Sequence, residues 1–437
     1  MTNQELINRS LATVWHPCTQ MKRHETFPLI PISRGSGVWL YDMDGKRYLD
    51  AVSSWWVNLF GHSNIRINAA ITDQLGKLEH VMLAGFTHEP VVQLSERLTQ
   101  LAPDGLSHCF YASDGASAIE IALKMSVHHW RNAGLSEKTK FISLKNSYHG
   151  ETLGALSVTD VKLFKDAYGS LLKQNDTVVN PDSRDAFPGE SANDYALRCA
   201  DQLELYLQQH HQELAAFIIE PLVQGAAGMA MYHPVYLTRA CDLCEQHNVH
   251  LIADEIAVGM GRTGTMFACE QGEITPDFLC LSKGITGGYL PLSVVMTTDK
   301  IYQSFYADEL TRGFLHSHSY TGNPLACRAA LATLDIFIED DVLNANRNTI
   351  AYLNIKAAPL RDHPKIKNFR NRGMIWAFEV ESPYSDFSQR CFALALQHEI
   401  LLRPMGNTVY FMPPYVISIS EVDMLITRTL RVITQLV

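Results

Sequence analysis

Long hydrophobic runs are missing from this 437-residue chain. No stretch approaches the roughly 18 to 20 uncharged apolar residues that a membrane span needs. The first ten residues are polar and form no apolar signal core, so a cytoplasmic location and no membrane partner are expected. Positive charge is scarce too: 36 Lys and Arg stand against 46 Asp and Glu, a net charge of −10. No basic run exceeds a few residues, which argues against a nucleic-acid partner. Repeats, low-complexity tracts and flexible linkers are absent. The nine cysteines are scattered and odd in number, which suits free thiols in a reducing compartment. Cys241 and Cys244 have C-x-x-C spacing, but they lie in a helical pattern with no second ligand pair nearby. Core thiols are expected there, and no metal.

What is present is an ordinary globular composition, 46% hydrophobic and 19% charged, with ample length for a large core. Near the start, Gly35 to Asp50 reads as a hairpin around Met43-Asp44-Gly45. Trp55 and Trp56 follow at a strand end; adjacent strand residues face opposite ways, so one belongs to the core and the other is free to line a pocket. From about residue 67, helical patterns alternate with short apolar strands: Ser107–Tyr111, Phe141–Leu144, Ala215–Ile219, Val249–Asp254 and Phe278–Leu281. This alternation predicts an α/β fold with a mainly parallel central sheet covered by helices. Residues 160–195 read as an irregular surface excursion. After about 340 the pattern changes to a smaller α+β unit. The expected division is 1–60 joining the small domain, 61–335 as the large domain, and 336–437 as the C-terminal small domain.

Two of the apolar strands end in chemistry. Val249–Asp254 ends in a carboxylate, and Phe278–Leu281 leads to Ser282-Lys283-Gly284. A lysine at the mouth of a packed sheet, between small residues, suits Schiff-base formation with an aldehyde cofactor. A nearby carboxylate can keep a pyridine nitrogen protonated. Taken alone, Asp254 also suits a turn, and Lys283 a solvated surface. Ser113 to Glu120 opens a long helix from a strand, which suits either a phosphate site or a Ser117/Glu120 capping box. Gly259 to Gly264 fits G-x-G-x-x-G, but Thr265 to Cys269 reads as strand or loop, so a nicotinamide site is not expected.

Taken in order, Ser113-Asp114-Gly115-Ala116, Tyr148-His149-Gly150, Glu220-Pro221, Asp254-Glu255, Gly261-Arg262-Thr263-Gly264, Ser282-Lys283-Gly284 and Thr321-Gly322-Asn323-Pro324 resemble the class III pyridoxal-phosphate aminotransferases of fold type I. The resemblance spans most of the chain. It implies pyridoxal 5'-phosphate as cofactor and a homodimer with active sites at the interface. Lys283 would carry the cofactor's aldehyde, and Asp254 would pair with the ring nitrogen. Tyr148 would lie on the ring face. Gly115 and Ala116 would give N–H groups to the phosphate, with Ser319 and Tyr320 reaching it from the second subunit.

A second set is narrower: Trp15-His16-Pro17, Ser53-Ser54-Trp55-Trp56, His80-Val81-Met82, Met231-Tyr232-His233-Pro234, Arg403-Pro404 and Tyr410 to Tyr415. It resembles the branch of that family that transfers the amino group of S-adenosylmethionine to 8-amino-7-oxononanoate in biotin synthesis. On that resemblance, Arg403 would take the keto acid's carboxylate. Trp55, Trp56 and Tyr410 would wall its aliphatic chain, and Cys18 and Ser317 would also line the substrate site. Lysine as donor, or an ω-amino acid or diamine substrate, stays open. The chain departs from the family pattern in three places. Ala116 stands where a Ser is usual, Cys18 where Tyr is frequent, and His318-Ser319 where Pro-Thr is expected.

Overall fold

The computed structural model describes residues 1–27 and 29–437. The chain forms two compact units, Ala69–Asn344 and Met1–Asn68 with Ala345–Val437. The units part in the first turn of the helix Val342–Lys356, after the helix Pro324–Glu339. No helix among the described residues is long and apolar enough to cross a membrane.

The larger unit is built on a seven-stranded sheet. Its spatial order is Leu106–Ala112, Ser293–Thr298, Phe278–Leu281, His250–Asp254, Leu214–Ile219, Lys140–Leu144 and Asp176–Val178. The five strands from Phe278–Leu281 onward are parallel. Ser293–Thr298 is antiparallel to both its neighbours, so Leu106–Ala112 runs the same way as the five. Every residue of the three central strands is buried, which is why they read as continuous apolar runs. The helix Gly115–Asn132 packs Ile119, Ala122 and Met125 into the core that covers them.

Two strands of this sheet escape the sequence reading. Asp176–Val178 lies inside the expected surface excursion and forms the sheet's edge; three residues are too few to show a period. Ser293–Thr298 enters antiparallel, without the helical crossover that marks the others. The capping-box alternative at Ser117 and Glu120 is not realised. Asp114 caps the helix by accepting from the Ser117 N–H at 2.9 Å. Glu120 instead accepts from the N–H groups of Gly154 and Ala155.

The smaller unit has a four-stranded sheet, ordered Ile32–Ser36, Trp39–Asp42, Arg47–Asp50 and Ile400–Leu401. A second sheet joins Ile366–Arg372, Ile375–Val380 and Thr408–Phe411, and the amphipathic helix Ile419–Thr434 belongs to the same unit. The expected hairpin around Met43-Asp44-Gly45 forms, with Tyr41 opposite Arg47.

Candidate active site

Parallel strands leave their carboxyl ends at one edge of a sheet, where loops can converge. In the larger unit that edge gathers the segments after Ala112, Leu144, Ile219, Asp254 and Leu281. These segments carry Gly115 and Ala116, Tyr148 and His149, Glu220, Asp254 and Lys283. Asp254 pairs in register with Cys280 of the next strand, so it and Lys283 end neighbouring strands.

Lys283 opens a short 3-10 turn, Lys283–Thr286, with a left-handed φ of +44°. A non-glycine residue held in that region marks strain that the surroundings must over-determine. Here Gly284, Ile285 and Thr286 are buried, and the Ser282 hydroxyl donates to the Leu292 carbonyl at 2.8 Å. Burial pushes the Lys283 amine below its usual range, while the carboxylates of Asp254 and Glu220 pull it back up. A neutral, nucleophilic amine is what such burial favours.

Asp254 is 5% exposed. One oxygen accepts from the Ile256 N–H at 3.1 Å, so the bland turn role is present too. The other lies 2.7 Å from Nδ1 of His149, which is itself buried. That imidazole is the partner missed from sequence: it stands in the Tyr148-His149-Gly150 motif, but its pairing crosses 105 residues. Its Nε2 is buried without a hydrogen-bond partner among the described residues. Glu220, of the Glu220-Pro221 motif, is a second such partner. It accepts from the N–H groups of Tyr148 and Gly225, both at 3.0 Å. Burial lifts its carboxyl to about 7; His149 opposes the shift and Asp254 adds to it. Tyr148 is half-buried, and its hydroxyl donates to Glu151.

At the start of the long helix, the N–H groups of Gly115 and Ala116 have no intrahelical carbonyl to bond, an arrangement suited to an anion. A Cβ on Gly115 would lie 2.9 Å from the Ile256 side chain, so only glycine lets the chain pass there. Ser317, Ser319 and Tyr320 are exposed, and their hydroxyls make no hydrogen bond among the described residues. His318 fixes its own loop through reciprocal bonds with Thr321.

In the smaller unit, Ser53–Trp56 is not a strand end. All four residues have positive φ, between 47° and 74°, and they form one left-handed turn. Each such residue costs about 1–2 kcal/mol. The two tryptophans still part company: Trp56 is 7% exposed and Trp55 44%. Trp56 donates its indole N–H to the Tyr410 hydroxyl at 3.2 Å, and Tyr410 is buried. Trp55 lies 4.5 Å from the Arg403 guanidinium. Both line a cavity of about 400 Å³ with His16, Pro17, His24 and Leu40. Cys18 is exposed and does not line it.

The family described as aminotransferase class-III matches residues 20–433. The adenosylmethionine-8-amino-7-oxononanoate aminotransferase of Helicobacter pylori is 47% identical, over 99% of this chain and 98% of that one. A solved structure of the enzyme of that name from Methanocaldococcus jannaschii matches with a TM-score of 0.93 at 35% identity, covering 99% of each chain. An omega transaminase from Pseudomonas jessenii, solved in complex with PMP, gives 0.93 at 29% identity over 98% of each. This chain therefore belongs to the class III aminotransferases, enzymes of fold type I that work with pyridoxal phosphate.

Proposed function

We propose that this enzyme moves the amino group of S-adenosylmethionine to 8-amino-7-oxononanoate, giving 7,8-diaminononanoate for biotin synthesis. The observation that carries the reading is the full-length likeness to the Helicobacter pylori enzyme, joined to an intact Lys283–Asp254–His149 arrangement.

The residues at the sheet edge fit the cofactor. Free helix-end N–H groups suit its phosphate, and the chain at Gly115 runs close against the Ile256 side chain. Bound pyridoxal phosphate supplies a ring that takes up the electron pair of a breaking C–H bond. Lys283 would hold the cofactor through its amine and would carry a proton between carbon atoms. Asp254 would hold positive charge at the ring nitrogen, with His149 orienting it at 2.7 Å. Tyr148 would face the ring. Arg403 receives the keto acid's carboxylate through its planar fork. Trp55, Trp56 and Tyr410 meet the apolar chain, with Cys18 and Ser317 at the substrate's margin. The donor's sulfonium suits aromatic faces, each worth about 0.5–2 kcal/mol. The enzyme acts in the cytoplasm as a homodimer, and the exposed Ser319 and Tyr320 of each subunit reach the phosphate site of the other.

A panel of amino donors against keto-acid acceptors, read by mass spectrometry of the amine product, tests this. 7,8-Diaminononanoate should form from S-adenosylmethionine. Formation only from lysine would replace the donor, and turnover only of ω-amino acids would replace the acceptor as well.

A further inference from the structure

We infer that Asp50 and His62 are positioning residues for substrate recognition: together they hold the left-handed turn that sets Trp55 beside Arg403. The inference rests on the proposal that Trp55 and Arg403 receive the keto acid.

Asp50 ends its strand fully buried. One oxygen accepts from the Ser54 N–H at 3.0 Å. The other accepts from the Ser54 hydroxyl at 2.6 Å and lies 3.0 Å from Nε2 of His62. The oxygens of a buried carboxylate need such a set of donors. The imidazole is itself fixed. The side-chain NH₂ of Asn58 lies 3.1 Å from Nδ1, so Nδ1 accepts, Nε2 carries the hydrogen, and that hydrogen points at Asp50. The backbone of His62 is tied to Gly37 in both directions, at 3.1 and 2.7 Å. Gly35 gives the ring its space, since a Cβ there would lie 2.5 Å from the Cβ of His62.

The turn is anchored differently at its ends and in its middle. Ser53 donates its hydroxyl to the Met412 carbonyl at 2.7 Å, and Trp56 is tied to Tyr410. Ser54, in the middle, has its hydroxyl and its N–H on Asp50, and the half-exposed Trp55 follows it. Four consecutive left-handed residues without glycine persist only where the surroundings over-determine them. Removing the Asp50 anchor therefore releases the segment that carries Trp55 and leaves the buried ends in place. The Trp55 indole then leaves the guanidinium, and the fork of Arg403 loses the face that orients it.

The test uses the holoenzyme and separates KM for the keto acid from kcat. Asp50→Ala and His62→Ala should raise that KM about tenfold, the scale of one lost charge-assisted hydrogen bond, with kcat nearly unchanged. His62→Gln keeps a donor for Asp50 and should recover most of the loss. Acrylamide quenching of indole fluorescence, referenced to Trp55→Phe, should show Trp55 more accessible in Asp50→Ala. An unchanged KM with unchanged quenching would overturn the inference, as would equal loss in His62→Ala and His62→Gln. If Asp50→Ala does not fold, Ser54→Ala carries the same test: its KM should rise, and an unchanged KM overturns the proposal. Wild-type enzyme that ignores the keto acid would sink the functional reading alone, because the quenching readout still decides the position of Trp55.

Discussion

Lys283 and the Ser53–Trp56 turn both place non-glycine residues in left-handed backbone, yet they are held by different means. Lys283 sits where an all-buried strand ends, and its turn is held by the burial of Gly284, Ile285 and Thr286 and by the Ser282 hydroxyl on Leu292. Ser53–Trp56 is held by hydrogen bonds to one buried carboxylate, one carbonyl and the Tyr410 hydroxyl. On the proposed function, the first region performs the chemistry and the second selects the substrate. Changes in the first should therefore strike kcat, and changes in the second KM.

The largest expected effect is at Lys283. Lys283→Ala should fold and still bind pyridoxal phosphate, but turnover should fall by several orders of magnitude, because the covalent nucleophile and proton carrier are lost together. Single-turnover assays check this, and ordinary turnover would end the assignment. Asp254→Asn comes next. An amide cannot balance a positive ring nitrogen, and a charge-assisted hydrogen bond of about 1.5–3 kcal/mol corresponds to a loss of roughly 10- to 150-fold in kcat. A variant with wild-type rate and wild-type cofactor spectrum would contradict the role. Arg403→Ala, in the second region, should raise KM for the keto acid about tenfold or more with a smaller effect on kcat. A variant impaired with the donor alone and normal with the keto acid would break the contrast between the two regions.

The smallest effect is on stability. Burial holds the Glu220 carboxyl up at about 7, above its ordinary 4.5. Between those values the folded chain binds more protons than the unfolded one, so this group's contribution to stability falls as pH rises through that window. Unfolding free energies from urea titrations at about pH 5 and pH 7.5 should differ less in Glu220→Gln than in the wild type, by no more than a few kcal/mol. An unchanged difference would remove Glu220 as the source.

The same contrast governs what could be read from the sequence. Lys283 and Asp254 were legible because short apolar runs end on them, and buried parallel strands write themselves as such runs. The pairing of His149 with Asp254 was not, since a hydrogen bond across 105 residues leaves no local period. Ser53–Trp56 looked like a strand end because Ser and Trp carry no sign of a left-handed turn, for which glycine is the usual mark. Its hydrogen-bond partners include Asp50, which also meets His62, twelve residues further on. Trp55 and Trp56 were nonetheless separable into one inward and one outward ring, since adjacent side chains diverge in either backbone.

The most direct measurement fixes the cofactor in place. Enzyme loaded with pyridoxal phosphate is reduced with borohydride, digested and mapped by mass spectrometry. The added mass should fall on the peptide containing Lys283 and vanish in Lys283→Ala. Label on a different lysine, or none in the wild type, would contradict the assignment of Lys283 as the residue that holds the cofactor.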